Sequence, residues 1–435
     1  MLPARWRELF GLIPVALMVT AGFTAVLITR SESTDEVTTT YGLFFLGCCV
    51  FAHLFIRARL PDADPYLFPL TAVLASFGLV MIYRIDEELA REQATWFVVG
   101  LILFAATIVL LRDHRVLERY RYTIAAAGLA LLFMPRLPGI GSQVNGAFLA
   151  VKVGPIQFQP AEFAKIAIIV FLASYLNDTR EVLVKGRIPR LSLKHFGPLL
   201  LVWGAAMLML VFIRDLGSSL MFFGGFLALL YIATARLSLV AVGFGMFLAG
   251  AAFFANSVSH VQERVDVWLD PFAKDVVDRE GYQIAQGLFA QADGGLFGKG
   301  FGEALLELPS GQSLLPAPHT DLIYAVITNE LGLFGAAALI LVYLLFAQRG
   351  FKTAMVANDG FSKLLAAGLT AVFALQVFVI VGGVARVIPL TGVTLPFVSY
   401  GGSSIVANFV LLALLLVVSD SARRGAPRQG GLVAS

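Results

Sequence analysis

"DLIYAVITNELGLFGAAALILVYLLFAQRG", Asp321–Gly350, decides the fold. From Leu322 to Ala347 the run is predominantly apolar and exceeds the about 20 residues needed to cross the hydrocarbon of a bilayer. Working towards the N-terminus, similar stretches lie near Leu239–Ala255, Ser218–Ala233, Phe196–Phe212, Phe163–Leu176, Tyr122–Met134, Ala94–Leu111, Leu67–Ile82, Tyr41–Ile56 and Leu9–Ile28. Towards the C-terminus they lie near Leu364–Val384 and Ser404–Val418. Of the 435 residues 58% are hydrophobic and 14% charged, far from the balance of a soluble protein. The chain reads as an all-α, polytopic membrane helix bundle of about twelve transmembrane helices, of which the second and fifth are short. Arg5 and Arg7 precede the first stretch and no small-residue cleavage site follows it, so it reads as a retained span rather than a signal peptide.

Cytoplasmic loops are enriched in Lys and Arg. Alternating the loops from a cytoplasmic N-terminus places Arg112, Arg115, Arg119 and Arg121 inside, with Arg180, Lys185, Arg187, Arg190 and Lys194. Arg349, Lys352, Arg423, Arg424 and Arg428 fall inside too, so both termini are expected in the cytoplasm. The net charge of +3 is then mostly a topology signal, and no nucleic-acid patch is needed to explain it. Residues 1–60 read as an appended N-terminal helix pair and 61–420 as a core, with 256–319 its long extracytoplasmic loop. Residues 421–435 read as a short cytoplasmic tail. Cys48 and Cys49 are adjacent and cannot form an ordinary disulfide framework, and the five His are scattered without zinc spacing.

Three outward regions, Pro138–Lys165, Asn256–Asp321 and Arg386–Ser404, hold most of the polar residues with chemical interest. "QPAEFAKIAIIVFLASYL", Gln159–Leu176, has Pro160 suited to a first helical turn and Glu162 complementing its positive end. Lys165 lies one turn further in, where an isolated cation is costly. It either forms a local i,i+3 ion pair with Glu162 or faces a polar cavity, binding phosphate or a distant acid. In "IRDLGSSL", Ile213–Leu220, Asp215 and Gly217 fit a tight capped hairpin as well as a functional turn. In "ERVDVWLDPF", Glu263–Phe272, Asp266 and Asp270 invite a two-carboxylate reading. Pro271 biases Asp270 away from helix and Arg264 offsets the charge, so a solvated, amphipathic loop is preferred.

"GGLFGKGFG", Gly294–Gly302, lacks the Lys-Ser/Thr ending and preceding strand of a phosphate loop and lies outside the cell, so a nucleotide site is rejected. Its glycines suit close backbone packing or ligand contact. Pro389, Gly392, Pro396, Gly401 and Gly402 interrupt the apolar sequence between two spans, which favours a re-entrant Pro/Gly segment over a plain loop. Thr320 would cap the Leu322–Ala347 span and Asp321 would sit in its first turn, a placement worth a few tenths to about 1 kcal/mol. Tyr324 and Thr328 continue a polar stripe from Asp321 into the membrane segment. The carboxylate could equally take a proton from a sugar hydroxyl, with Lys165 nearby lowering its pKa. Cap and catalyst both stand at this point.

Taken together these stretches resemble the SEDS family (shape, elongation, division and sporulation), which includes RodA and FtsW. The likeness spans roughly Leu67 to Ser419. It rests on Gln159-Pro160-Ala161-Glu162-Phe163-Ala164-Lys165, on Asp215-Leu216-Gly217, and on Gly281-Tyr282-Gln283 through Gly294-Gly295-Leu296-Phe297-Gly298-Lys299-Gly300. Pro318-His319-Thr320-Asp321, Asn329-Glu330-Leu331-Gly332 and Leu395-Pro396-Phe397-Val398-Ser399-Tyr400-Gly401-Gly402-Ser403 complete it. The resemblance implies a peptidoglycan glycosyltransferase in the bacterial cytoplasmic membrane that polymerises lipid II at the outer face and releases undecaprenyl pyrophosphate. It makes Asp321 the essential acid, with Lys165 facing it in a shared cavity and Glu162 nearby. It implies a class B penicillin-binding protein, a transpeptidase, as partner, besides membrane lipid.

Arg264, Tyr282, Gln286, Lys299, His319, Arg386 and Ser399 are the remaining candidate substrate contacts. Asp215, Gly217, Pro396, Gly401 and Gly402 are candidate turn residues. No cofactor is certain; a divalent cation, Mg or Mn, could bridge the pyrophosphate, though no metal-ligand cluster is evident. Departures from the family pattern are Ala161 for Ser, Arg214 and Ser218 around Asp215-Leu216-Gly217, and Phe148-Leu149 where Arg-Trp commonly follows Asn145-Gly146-Ala147. If that missing Arg grips pyrophosphate, Lys152, Arg264 or Arg386 must replace it. Overall likeness and the short tail favour the elongation (RodA-like) type over division (FtsW-like). A lipid II flippase and a non-catalytic scaffold for the transpeptidase are the alternatives.

Overall fold

The computed structural model describes residues 3–30, 36–111, 113–144, 147–154, 156–185, 216–257, 259–274, 276–306 and 314–424, with positions 197 and 204. Helices α1 (Ala4–Gly11), α2 (Ile13–Arg30) and α3 (Glu36–Arg59) precede α4 (Leu67–Ile85) and α5 (Glu87–Leu110). The short α6 (Val116–Arg119) leads into α7 (Arg121–Phe133), and α8 (Pro160–Lys185) follows a small sheet. Next come α9 (Leu216–Thr234), α10 (Leu237–Ser257), α11 (Ser259–Leu269) and α12 (Tyr282–Gly294). The last three are α13 (Ile323–Val356), α14 (Gly360–Val384) and α15 (Gly402–Arg424).

Nine helical segments among the described residues are long and apolar enough to cross a membrane. A helix pairs its own backbone groups, so it is the natural form for an apolar run in lipid. Of the stretches expected to span, Tyr122–Met134 falls on α7, which has only 13 residues, and Leu239–Ala255 falls on the shorter apolar helix α10. Phe196–Phe212 (apart from positions 197 and 204), Asp215 and the Asn145-Gly146 turn lie outside the described residues.

The sheet was not anticipated. Strands β1 (Gly141–Val144), β2 (Ala147–Val153) and β3 (Ile156–Phe158) form an antiparallel meander between α7 and α8, with Val151 opposite both Gly141 and Phe158. Strands β1 and β3 are too short for periodicity to show, and β2, AFLAVKV, is apolar almost throughout and does not alternate.

The bundle is organised around α15, of whose apolar window 89% is buried, against 28% for α5. Helix α15 packs on α5, α7 on α8, and α14 on α9, α8 and α13. Phe409 of α15 meets Phe97 of α5 and Phe397 edge-on at 5.3 and 5.2 Å, the arrangement favoured by ring quadrupoles. Gly78 of α4 lets the 397–398 backbone approach: a Cβ there would lie 2.6 Å from the Phe397 carbonyl oxygen.

The N-terminal pair rests on the core through α2 against α4 and α3 against α5, with Phe45 and Phe97 4.7 Å apart. Buried Glu8 bonds Arg5 and lies 2.8 Å from His53 Nδ1, while Arg5 also donates to the Ala63 carbonyl. Next to Ala63, fully buried Asp64 accepts from Arg349 Nε of α13 at 3.0 and 3.1 Å and from Arg423 of α15. Burial pushes the Asp64 carboxyl up, but the Arg349 hydrogen bond and the Arg423 charge outweigh it and hold it below its ordinary range.

Candidate active site

The chain between α14 and α15 contains neither helix nor strand, because Pro389 and Pro396 lack amide donors and Gly392 takes a positive φ. Its backbone groups are satisfied from several directions. Gln376 Nε2 of α14 donates to Thr394 O at 2.9 Å, and Tyr343 Oη of α13 donates to Pro396 O at 2.6 Å. Gln93 of α5 donates to Ser399 O and accepts from Gly401 N, both at 3.2 Å. Ser403 Oγ accepts from Gln159 N at 2.8 Å, joining the segment to the start of α8.

This segment also holds the His319-Thr320-Asp321 loop. Ser399 Oγ accepts from Leu395 N and donates to Thr320 O, each at 2.9 Å, and Tyr400 N donates to His319 O at 2.8 Å. The His319 and Tyr400 rings meet edge-on at 5.8 Å. Burial lowers the His319 pKa, against the charge of Asp86, so the ring is neutral at pH 7. Burial and the neighbouring Glu92, which accepts from its hydroxyl, raise the Tyr400 phenol. Ala317, Arg386 and Phe397, three of the four non-glycine residues with positive φ among the described residues, lie in these two loops, where strain is held by the surrounding bonds.

Asp321 lies before its helix rather than in it. The helix starts at Ile323 with Leu322 in the capping position and no side-chain cap. The Thr320 hydroxyl points to Ala317 O at 3.5 Å. The expected capping role is therefore corrected: the preceding residues turn tightly, Leu322 N bonding to Ala317 O, and no side chain caps the helix start. The Asp321 carboxylate faces Arg264 of α11, accepts from the Gln283 side chain of α12, and lies close to Gly392, where a Cβ would be 3.6 Å from Oδ2. Burial pushes its pKa up to about 6, with the Arg264 charge and the Gln283 hydrogen bond opposing.

The expected meeting of Lys165 with Asp321 is not formed. Lys165, 3% exposed, donates to Glu162 Oε2 and to Gln376 Oε1, both at 2.6 Å. The local i,i+3 pair is thus present, and a buried amide supplies the second partner. Lys165 bears on the site indirectly, since the same Gln376 carries Thr394. The cation opposite Asp321 is Arg264, whose Nη1 also donates to Leu390 O at 2.8 Å.

Arg386 is used structurally: its Nε donates to Trp268 O at 2.8 Å, a second donor bonds Leu269 O, and Trp268 Nε1 returns a bond to Arg386 O at 3.2 Å. Residues 259–269 form a helix, so the solvated-loop expectation for that stretch is corrected up to Leu269; Asp266 and Asp270 remain exposed. Tyr282 and Gln286 are half-buried along α12, and Lys299 is exposed. Gly217 packs on the segment, where a Cβ would lie 2.2 Å from Val393 Cγ2; Pro396 is buried and Gly401 and Gly402 half-buried. Gln283, Gln376 and Gln93 were not singled out; an amide carries no charge signal in sequence, although Gln283 sits inside the Gly281-Tyr282-Gln283 motif.

The profile of the FtsW/RodA/SpoVE family, described as cell cycle protein, matches residues 65–424. The peptidoglycan glycosyltransferase RodA of Mycobacterium tuberculosis is 41% identical over 97% of this chain and 92% of its own. Stage V sporulation protein E of Bacillus subtilis is 29% identical over 83% of this chain and 98% of its own. Among solved structures, a chain from a peptidoglycan synthase complex described as coordinating polymerization and crosslinking aligns with a TM-score of 0.66. The two are 27% identical over 83% of this chain and 98% of that one. The rod shape determining protein RodA of Thermus thermophilus aligns at 0.59, with 25% identity over 84% of this chain and 98% of that one.

Proposed function

This chain belongs to the FtsW/RodA/SpoVE family of cell cycle proteins, and we propose that it is a peptidoglycan glycosyltransferase polymerising lipid II at the outer face of the cytoplasmic membrane, in elongation and shape maintenance. The observation that carries the chemistry is a near-neutral carboxyl, Asp321, held by an amide and facing an arginine beside a Pro/Gly segment. A general base works best with a pKa near the operating pH.

In the reaction, the 4-hydroxyl oxygen of the incoming lipid II sugar attacks the anomeric carbon of the growing chain. The new C–O bond forms as the bond to pyrophosphate breaks, with inversion, and the hydroxyl proton passes to Asp321. Arg264 stabilises the charge building on the departing undecaprenyl pyrophosphate. Tyr282, Gln286, Lys299 and His319 offer polar contacts to the sugars. Lys165 and Glu162 support the segment through Gln376, and Arg386 and Ser399 hold its two ends in place. Among the described residues no three His, Cys, Asp or Glu gather to hold a metal ion. A divalent cation, Mg or Mn, would supply charge neutralisation to the departing pyrophosphate.

The topology proposed is twelve spans with both termini cytoplasmic, the 385–401 segment re-entrant at the outer face, and residues 1–60 an appended pair. The positive loops support it. The partner is a class B penicillin-binding protein, supported by the likeness to the synthase complex. The test is purified chain, with that transpeptidase, given lipid II in proteoliposomes. Glycan strands with release of undecaprenyl pyrophosphate are expected; transbilayer movement of lipid II without strands would instead establish a flippase, and neither would leave a scaffold.

A further inference from the structure

One buried acid has no part in the proposed reaction. Glu330 of α13 is 1% exposed, and its Oε1 lies 2.8 Å from Arg84 Nε at the end of α4. The pair does more than neutralise itself. Arg84 Nη2 donates to the carbonyls of Gly302 and Ala304 at 2.6 and 2.9 Å, and the backbone of the same two residues runs close to the Glu330 carboxylate. Arg84 and Glu330 together grip the chain that leaves the glycine loop.

That loop fills a break in α13. Gly332 departs from helix with φ 66° and ψ −170°. Beyond the break, Leu333 N and Phe334 N donate to Gly295 O and Leu296 O at 2.9 and 3.2 Å. Before it, Asn329 O and Glu330 O accept from Lys299 N and Gly300 N at 2.9 and 3.1 Å. Backbone groups that a continuous helix would pair internally are paired with the loop instead. Neither Gly298 nor Gly332 has room for a side chain: a Cβ at the first would be 2.1 Å from Glu330 O, and at the second 2.4 Å from Gly298 N.

The glycine loop is the continuation of α12, whose first turn holds Gln283 on Asp321. Gly287 of α12 lies against Leu322, a Cβ there being 3.2 Å from its side chain, and Asn329 Nδ2 donates to Ala290 O at 2.7 Å. Helix α12 and the first part of α13 therefore run side by side in the same direction. They are joined at the near end by Gln283 and at the far end by the loop.

We propose that the Arg84–Glu330 pair is a positioning device for Asp321: it locks the glycine loop into the break, fixes α12 along α13, and so keeps the Gln283 amide on the carboxylate. The inference rests on the reading of Asp321 as the base. Two buried charges seldom stabilise a fold better than an apolar pair of similar volume, so direction rather than stability is their contribution.

The test uses full-length protein and lipid II, comparing wild type with Gln283→Ala, Glu330→Gln and the doubly apolar Arg84→Met/Glu330→Leu. Arg264, the charge facing Asp321, is left in place throughout. The expected result is a fall in kcat of about tenfold or more, the scale of a small misplacement, with KM little changed. In all three the acid limb of the pH–rate profile moves upward, because a hydrogen bond to the charged form is lost. Gln283→Ala combined with Glu330→Gln should be no worse than either alone. Reduced yield of folded protein would not move the limb, so a purely structural role is separable. A folded, doubly apolar variant with wild-type kcat and an unmoved limb overturns this inference while leaving the base intact. Full activity in Asp321→Asn overturns the base reading itself.

Discussion

Asp321→Asn should make the folded protein more stable at neutral pH. Burial lifts the Asp321 carboxyl from its ordinary 3.8 to about 6, despite Arg264 and Gln283. Two pKa units correspond to about 3 kcal/mol, and solvent contact on a partly exposed side chain reduces this to about 1–2 kcal/mol. The folded state prefers the protonated acid, so this group favours folding fully below the unfolded pKa. That contribution is lost as pH rises through the folded value near 6. Asn is neutral at every pH, and its amide oxygen still accepts from Gln283. Thermal unfolding of purified wild type and variant in detergent reads the difference. The variant should melt higher at pH 7.5, and the gap should narrow at pH 4.5 and close only below the unfolded value of 3.8, where the acid is protonated in both states. A gap of equal size at both pH values, or a variant melting lower at pH 7.5, would refute the assignment of a strained, buried carboxylate.

Arg264→Ala removes the charge opposing burial, so the acid limb of polymerisation should shift upward as well as kcat falling, read from a pH–rate profile. Asp64→Ala leaves Arg349 and Arg423 without their buried acid and should cost about 3–5 kcal/mol. A lower melting temperature checks it, with the pH profile of the surviving enzyme unchanged because the pair lies far along α13 from Asp321. Lys165→Met strands Glu162 in an apolar setting and should destabilise on a similar scale; adding Glu162→Gln should recover part of the loss in the same melt.

The spans were legible because long apolar runs admit few structures in lipid, and α13 and α15 fall where the runs predict. Asp321 stands out in the sequence as an acid at the mouth of an apolar span, but its surroundings do not. The sequence places Thr320-Asp321 where a cap belongs, whereas the turn from Ala317 to Leu322 delays the helix to Ile323 and leaves it without a side-chain cap. Lys165 shows its i,i+3 neighbour Glu162 in sequence; its other partner, Gln376, is 211 positions away and is fixed only by packing α14 on α8. The glycines of 294–302 reveal a need for close approach, yet only the fold shows that Gly332 is what they approach. The sheet at 141–158 escaped because β1 and β3 are short, β2 does not alternate, and the pairing is tertiary.

The central claim is that Asp321 accepts the proton in glycosyl transfer. Its most direct test is the rate of glycan formation from purified lipid II by wild type and by folded Asp321→Asn, each with the transpeptidase partner. The account predicts strands from the wild type and a loss of about a hundredfold or more in the variant, the range of a general base. An Asn variant polymerising at the wild-type rate would contradict it.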